Sequence, residues 1–324
     1  MNEIITLTPA RLPDRVTIPA VITHAGGQAE KRFIEFFTAQ IRNPNTRKAY
    51  GRAAGQFFTW CQAFGLSLAD IQPVHVAAYI EAKQKEVSIL TVKQHLAALK
   101  HLFDWLVIGQ VISINPAAAV RGPKYSIKTG KTPILSTEDA RQLFEAIPET
   151  LSGIRDRALI GVMVYSFARV SAVVTMKVGD YFPSGKRWRL RVLEKGGKYR
   201  ELPVHHKAES YLDAYLEAAG IRSDLKGPLF RSMERHKGGF TANPLDRRDV
   251  YRMIRRRCGN AELPETVFIG CHSMRGTGIT NYLDNGGLLE TAQEMAGHAS
   301  TRTTQLYDRR NQQVELAEIE RVRI

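Results

Sequence analysis

The sequence predicts a mostly helical chain of two domains, with a small β-sheet confined to the C-terminal one. Three observations predict it. Apolar residues recur at three- and four-residue spacing from about Gln28 to Ile112 and again through much of the chain after Ile134. Two short stretches instead alternate in the manner of strands, Arg187–Leu193 and Tyr199–Val204. Between the helical regions lies a basic stretch rich in Pro and Gly, residues 116–133. A length of 324 residues also exceeds what one core usually fills.

Taken in order, residues 1–27 read as a loose arm ending in Gly26-Gly27. The arm is mixed and Pro-containing, without the charged, apolar and small-residue succession of a secretory leader. Residues 28–115 read as a compact domain of four or five helices. Phe33, Ile34, Phe36 and Phe37 open its apolar stripe, and Tyr50, Phe57, Phe58 and Trp60 continue it. Pro73 starts a helix bearing Val76, Tyr79 and Ile80, and Leu96, Leu99, Leu102, Phe103 and Leu106 face the core from another. Thr46, Arg47 and Lys48 stand before the second helix; Lys93, Gln94 and His95 decorate the fourth. These polar and basic side chains suit phosphate contact and equally suit a solvated helix face.

Residues 116–133 read as a basic linker, with Arg121, Lys124, Lys128 and Lys131 among Pro116, Gly122, Pro123, Gly130 and Pro133. Gly130-Lys131-Thr132 resembles the tail of a phosphate-binding loop, but Tyr125 stands where that loop needs Gly, so a nucleotide site is rejected. The second domain, 134–324, opens with a helix capped by Ser136, with Asp139 three residues on. A strongly apolar helix follows over Asp156–Phe167, then the two strands joined at Glu194–Lys198. Helices are expected at 207–219, about 246–258, 273–285 and 288–296, and a last amphipathic one over Val314–Ile324.

Charge narrows the function. Forty-six Lys and Arg against 32 Asp and Glu give a net charge of +14, which favours a polyanionic partner such as a phosphate backbone. No apolar run approaches the roughly 18 residues of a membrane span, and a cytoplasmic location is expected. Cys61, Cys258 and Cys271 form no disulfide framework, and Cys271-His272 lacks further ligands at zinc spacing.

Chemistry enters with polar residues set where core is expected. Arg169 ends the most apolar helix, and a buried arginine is costly unless an anion meets it. That anion is either a ligand or a structural carboxylate, for which Asp180 is the candidate. His272 and Arg275 share a helix face at i and i+3, near a helix N-terminus whose dipole favours an anion. Gly297-His298 ends another helix, and Tyr307 follows nine residues after His298. Each motif alone is weak; their order is informative.

The ordered set ARVS, EKGGK, HSMRGT and AGHASTRTTQLY resembles the tyrosine recombinase (phage integrase) family. The family pattern is an Arg in a G-L-R-x-S-E-like box, a Lys in a strand-turn-strand, H-x-x-R, G-H, and a Tyr about nine residues on. Two positions depart from it: Ala172 stands where an acid often follows the first Arg, and Gly276 where His often follows the second. The resemblance implies an N-terminal helical core-binding (SAM-like) domain and an α+β catalytic domain. It implies Arg169, Lys195, His272, Arg275, His298 and Tyr307 as the catalytic set, with Lys198 the competitor for the role of Lys195. DNA contact is expected from Thr46, Arg47, Lys48, Lys93, Gln94, Lys124 and Lys198, and from Arg247, Arg248 and Arg252 in a segment also crowded by Arg255, Arg256 and Arg257, whose outward members equally suit a solvated face.

The reaction so implied breaks a DNA phosphodiester without metal, cofactor or ATP. The implied partners are a double-stranded core site with inverted repeats and a homo-tetramer spanning two such sites. An accessory protein or a second recombinase could join them. The last helix would dock on its own domain or on a neighbour. The sequence leans toward a resolvase-like or mobile-element enzyme. A type IB-like topoisomerase and a non-catalytic DNA-binding protein of the same fold are the alternatives. A metal-dependent nuclease would need clustered carboxylates, which the sequence lacks.

Overall fold

A computed structural model of the chain describes residues 17–125, 130–194, 197–234, 238–263, 268–308 and 319–320. The chain divides into two compact units, Met1–Ser126 and Ile127–Ile324.

The first unit is helical: α1 (Ala20–Thr23), α2 (Gly27–Glu35), α3 (Pro44–Ala63), α4 (Pro73–Glu86) and α5 (Ile89–Ile108). α2 runs on into a wider turn in which Ile41 N reaches back to Phe36 O. Asn43 caps α3 by accepting from Asn45 N and Thr46 N, with Pro44 at the first helical position. Phe33, Phe36, Phe37, Phe57, Phe58 and Phe103 are fully buried and meet largely edge to face. The predicted stripe Leu96, Leu99, Leu102, Phe103 and Leu106 lies in this core.

Two features of this unit differ from expectation. His95 does not decorate the surface with Lys93 and Gln94; it is buried, 2.9 Å from the Tyr79 hydroxyl. It lies on the same face as Val92, Leu96 and Leu99, so the stripe carries it inward. The start of the basic stretch also packs here: Ala117 and Val120 are buried, and Lys100 Nζ donates to Ala118 O.

In the second unit, α6 (Thr137–Glu145) begins at Ser136, whose hydroxyl accepts from Asp139 N while the Asp139 carboxylate accepts from Ser136 N. α7 (Leu151–Ser166) is buried along most of its length and packs on α9 (His206–Ala219) and α11 (Cys271–Asp284). α8 (Val170–Thr175) follows at once. β1 (Tyr181–Ser184), β2 (Arg187–Leu193) and β3 (Tyr199–Pro203) form an antiparallel sheet in that order, with Val192 opposite Arg200. A second hairpin, β4 (Arg231–Met233) with β5 (Phe240–Pro244), precedes α10 (Arg247–Asn260). α12 (Leu289–Ala296) and α13 (Thr301–Gln305) complete the described elements.

β1, β4 and β5 were not expected; β1 and β4, at four and three residues, are too short for alternation to stand out. The end of the basic stretch belongs to this unit, since Gly130 N donates to Leu306 O and Leu135 N to Thr277 Oγ1. The expected helix over Val314–Ile324 lies, apart from residues 319–320, outside the described residues.

Candidate active site

Four chain segments converge on one charged cluster. α7 ends at Phe167, a non-glycine residue with φ of 54°, so the helix stops abruptly and Arg169 becomes the N-cap residue of α8. Such a left-handed residue persists only where its surroundings hold it. Here the Phe167 ring is buried and its carbonyl accepts from Arg275 Nη1.

Arg275 is 1% exposed. Its Nη2 donates to Ala296 O at 2.6 Å and meets His298 Nε2 at 2.7 Å. Its Nε is buried and has no hydrogen-bond partner among the described residues. Burial first, and then the charge of Arg169, lower its pKa to about 10, so it stays cationic at neutral pH. None of its hydrogen bonds goes to a carboxylate.

His298 follows Gly297, whose φ of 57° ends α12 in the left-handed region. Because an arginine only donates, Nε2 of His298 accepts, and Nδ1 carries the proton toward Thr304 Oγ1 at 2.9 Å. Burial and then the charge of Arg275 push its pKa down to about 3. The imidazole is therefore neutral.

The His298 ring lies parallel to that of Tyr307, their planes 8° apart. Tyr307 is 7% exposed, just past α13, and its carbonyl accepts from Thr280 Oγ1 at 2.8 Å. A Cβ added at position 276 would lie 3.0 Å from Tyr307 Cε1. The departure at Gly276 thus has a geometric reason: the tyrosine ring packs against the bare backbone. His272 stands at the exposed mouth of the cluster, one turn before Arg275. Crowding by protein atoms, then the charges of Arg275 and Arg169, hold its pKa below the ordinary imidazole value.

The carboxylate partner of Arg169 is Glu194, not Asp180. Arg169 Nη1 donates to Glu194 Oε2 at 2.6 Å, whereas Asp180 accepts from its own turn at Lys177 N. Arg200 Nη2 forms a 2.8 Å ion pair with Glu194 Oε1. Glu194 and Arg200 were missed in the sequence, although strand alternation holds the signal. Leu190 and Val192 point inward on β2, so Glu194 falls on the same face, and Arg200 stands opposite Val192.

Of the other residues named from the sequence, Lys195 lies outside the described residues, and Lys198 is exposed. Lys48, Lys93, Gln94 and Lys124 are exposed, and Thr46 is half-buried at the start of α3. Arg47 turns back on its own chain, giving Nε and Nη2 to Ile41 O. Arg247, Arg248 and Arg252 are exposed on α10, where Arg248 pairs with Asp246 and Arg252 with Asp249. Arg257 leaves that surface set: it is 5% exposed and bound to Asp156.

Residues 133–314 match the phage integrase family, and residues 31–111 match the N-terminal SAM-like domain of phage integrases. The chain belongs to the phage integrase family, the tyrosine recombinases. It is similar to tyrosine recombinase XerC of Leptospira interrogans, 28% identical over 293 residues, covering 89% of this chain and 91% of the relative. It is likewise 28% identical over 272 residues to tyrosine recombinase XerD of Listeria monocytogenes, covering 81% and 87%. Among solved structures it shares its fold with XerH site-specific recombinase bound to its difH substrate. There the TM-score is 0.66 at 19% identity, covering 93% of this chain and 94% of that one. A lambda integrase tetramer bound to a Holliday junction gives 0.66 at 20% identity, covering 89% and 79%. As a tyrosine-type recombinase by family, the chain is an enzyme of DNA strand exchange. No helix among the described residues is long and apolar enough to cross a membrane.

Proposed function

We propose that this chain is a site-specific DNA recombinase that cleaves and rejoins DNA through a 3′-phosphotyrosyl intermediate. The observation that carries the reading is Arg275, a buried cation whose hydrogen bonds go to two carbonyls and an imidazole rather than to a carboxylate, beside Tyr307 and His272. A charge buried in this way awaits an anion from outside.

The phosphodiester transition state gains negative charge on its nonbridging oxygens. Arg169 and Arg275 supply planar guanidinium donors for those oxygens. The Tyr307 hydroxyl attacks phosphorus and the bond to the 5′-oxygen breaks, which leaves the 3′-phosphate on the tyrosine. The phenol proton passes to His272, whose lowered pKa keeps it neutral and able to accept. Lys195 gives a proton to the leaving 5′-oxygen, with Lys198 its competitor. The reverse steps, using the 5′-hydroxyl of a partner strand, restore the phosphodiester without an energy source. As it stands, His298 acts through Arg275, whose Nη2 it holds. To donate to phosphate it would exchange that contact and carry its proton on Nε2.

We infer that the partner is a duplex core site with inverted repeats and that four protomers act on two sites, as in the lambda integrase tetramer named above. Arg247, Arg248 and Arg252 on α10 are the proposed phosphate contacts of the catalytic unit. That unit also carries an open groove of about 920 Å³ with Phe144, Tyr165, Tyr211 and Tyr282 in its wall. The chain end, with Val314, Leu316, Ile319 and Val322, is its proposed occupant, from the same protomer or a neighbour.

The test is a nicked core-site duplex mixed with protein, without metal or ATP, and run on a denaturing gel. Wild-type protein should form a covalent adduct and Tyr307→Phe should bind without forming one. An adduct with Tyr307→Phe would remove the nucleophile from this role. Relaxation of a supercoiled plasmid lacking any core site would instead favour the topoisomerase reading.

A further inference from the structure

The Glu194 carboxylate lies where the chemistry wants an anion that is not its own. Three guanidiniums, those of Arg169, Arg200 and Arg275, influence one another electrostatically in this cluster. Glu194 is the carboxylate that contacts two of them. Its side chain is 13% exposed. Its backbone is pinned as well: Glu194 N donates to Lys198 O at 2.7 Å and Glu194 O accepts from Gly197 N. On the far side stands Gly297, where an added Cβ would lie 2.7 Å from the carboxyl carbon. Arg200, in turn, donates to Glu294 O on α12. The carboxylate therefore ties the end of β2 to α8, β3 and α12.

Its contact with Arg169 is a single hydrogen bond from Nη1, and 31% of the Arg169 side chain is exposed, so Nε and Nη2 are not used by this carboxylate. A bidentate grip would have filled the fork and competed with phosphate. A single hydrogen bond restrains the guanidinium at one donor and leaves the others for phosphate.

We propose that Glu194 is a positioning residue for strand cleavage, holding the Arg169 fork in its phosphate-binding direction and balancing the converging arginines before DNA arrives. This rests on the strand-transfer reading above. Ala172, the position three residues beyond Arg169, has no charge to offer, and Glu194 supplies from β2 what α8 lacks.

The experiment is a single-turnover adduct assay on the nicked core-site duplex, run beside equilibrium binding to the intact duplex. Four proteins are compared: wild type, Glu194→Gln, Arg169→Ala and the double variant. Glu194→Gln should bind DNA as tightly as wild type or slightly more tightly, because a negative charge near phosphate is gone. Its cleavage should slow on the order of ten- to a hundred-fold, the scale of a misaligned catalytic group. In the Arg169→Ala background the same substitution should cost nothing further, because its effect runs through that arginine. Glu194→Asp, with its shorter reach, should fall between. Glu194→Gln cleaving at or above the wild-type rate would overturn the proposal, as would an equal loss in both backgrounds. Wild-type protein that binds and forms no adduct would overturn the strand-transfer reading, and this inference with it.

Discussion

Two clusters of buried arginines in the catalytic unit are resolved in opposite ways. On the α7–α10 side, Asp156 is fully buried between two guanidiniums. Arg155 gives it Nε and Nη2 on one oxygen, and Arg257 gives it Nε and Nη2 on the other. Arg155 Nη1 then closes on Arg231 O. Every oxygen of that carboxylate is engaged, and Arg256 adds charge from 3.6 Å. On the α11 side, Arg275 is just as buried but binds two carbonyls and a neutral imidazole, with Nε unpartnered among the described residues. The first arrangement is closed and holds helices together. The second is open and asks for an anion. Burial of an arginine alone does not mark a functional site; the identity of its acceptors does.

Removing one charge from each cluster should separate the two roles. The larger effect is expected from Asp156→Ala, which strands two buried guanidiniums and should cost about 3–5 kcal/mol of stability. Urea unfolding measures it, with cleavage per folded molecule nearly unchanged. Replacing Asp156, Arg155 and Arg257 together by apolar residues of similar volume should recover most of the loss, because the penalty is an unpaired charge rather than lost packing. Stability unchanged in Asp156→Ala would make the cluster dispensable. Arg275→Ala should behave the other way: adduct formation falls by about 10²–10³-fold, with the fold retained. Arg275→Lys should not restore it, since an ammonium cannot span Phe167 O, Ala296 O and His298 at once.

A smaller effect is expected at Gly276, beside the open cluster. An added methyl would press on the Tyr307 ring from 3.0 Å, and overpacking of this kind costs about 1–3 kcal/mol. Gly276→Ala should therefore slow adduct formation more than it weakens DNA binding, which parallel cleavage and mobility-shift titrations would show. A slowed variant with an unmoved tyrosine ring would place the effect elsewhere.

This contrast also marks what the sequence could tell. Helix α7 was legible as buried from its apolar run, but Arg155, Asp156 and Arg157 inside it gave no sign of which would turn inward. Arg257 looked like one more member of the basic face of α10; only the tertiary partner 101 residues away separates it from exposed Arg252. The order of Arg169, His272, Arg275, His298 and Tyr307 was legible through its resemblance to the family pattern, since each motif alone is weak. Asp180 was the wrong guess for the partner of Arg169 because proximity along the chain was the available guide. Glu194 approaches through sheet pairing, whose register depends on long-range contacts that local pattern does not carry.

Between about pH 5 and 8 protons should leave His298 unchanged, and this tests the open cluster most directly. His298 is held neutral first by burial and then by the positive charge of Arg275, with a pKa of about 3. An unfolded imidazole titrates near 6.5. As pH falls below that value the unfolded chain takes up a proton that folded His298 refuses, so stability from this group is full above about pH 6.5 and drains toward pH 3. Its ring nitrogens, followed by NMR, should show no titration between about pH 5 and 8, with the proton on Nδ1 throughout. Arg275→Ala should move the midpoint upward but not fully to the ordinary value, because burial, the larger cause, stays. If wild-type His298 instead titrates near 6.5, Nε2 is not accepting from Arg275. The arginine would then be less enclosed than its hydrogen bonds indicate, and the distinction between a closed ionic cluster and an open one would rest on Asp156 alone.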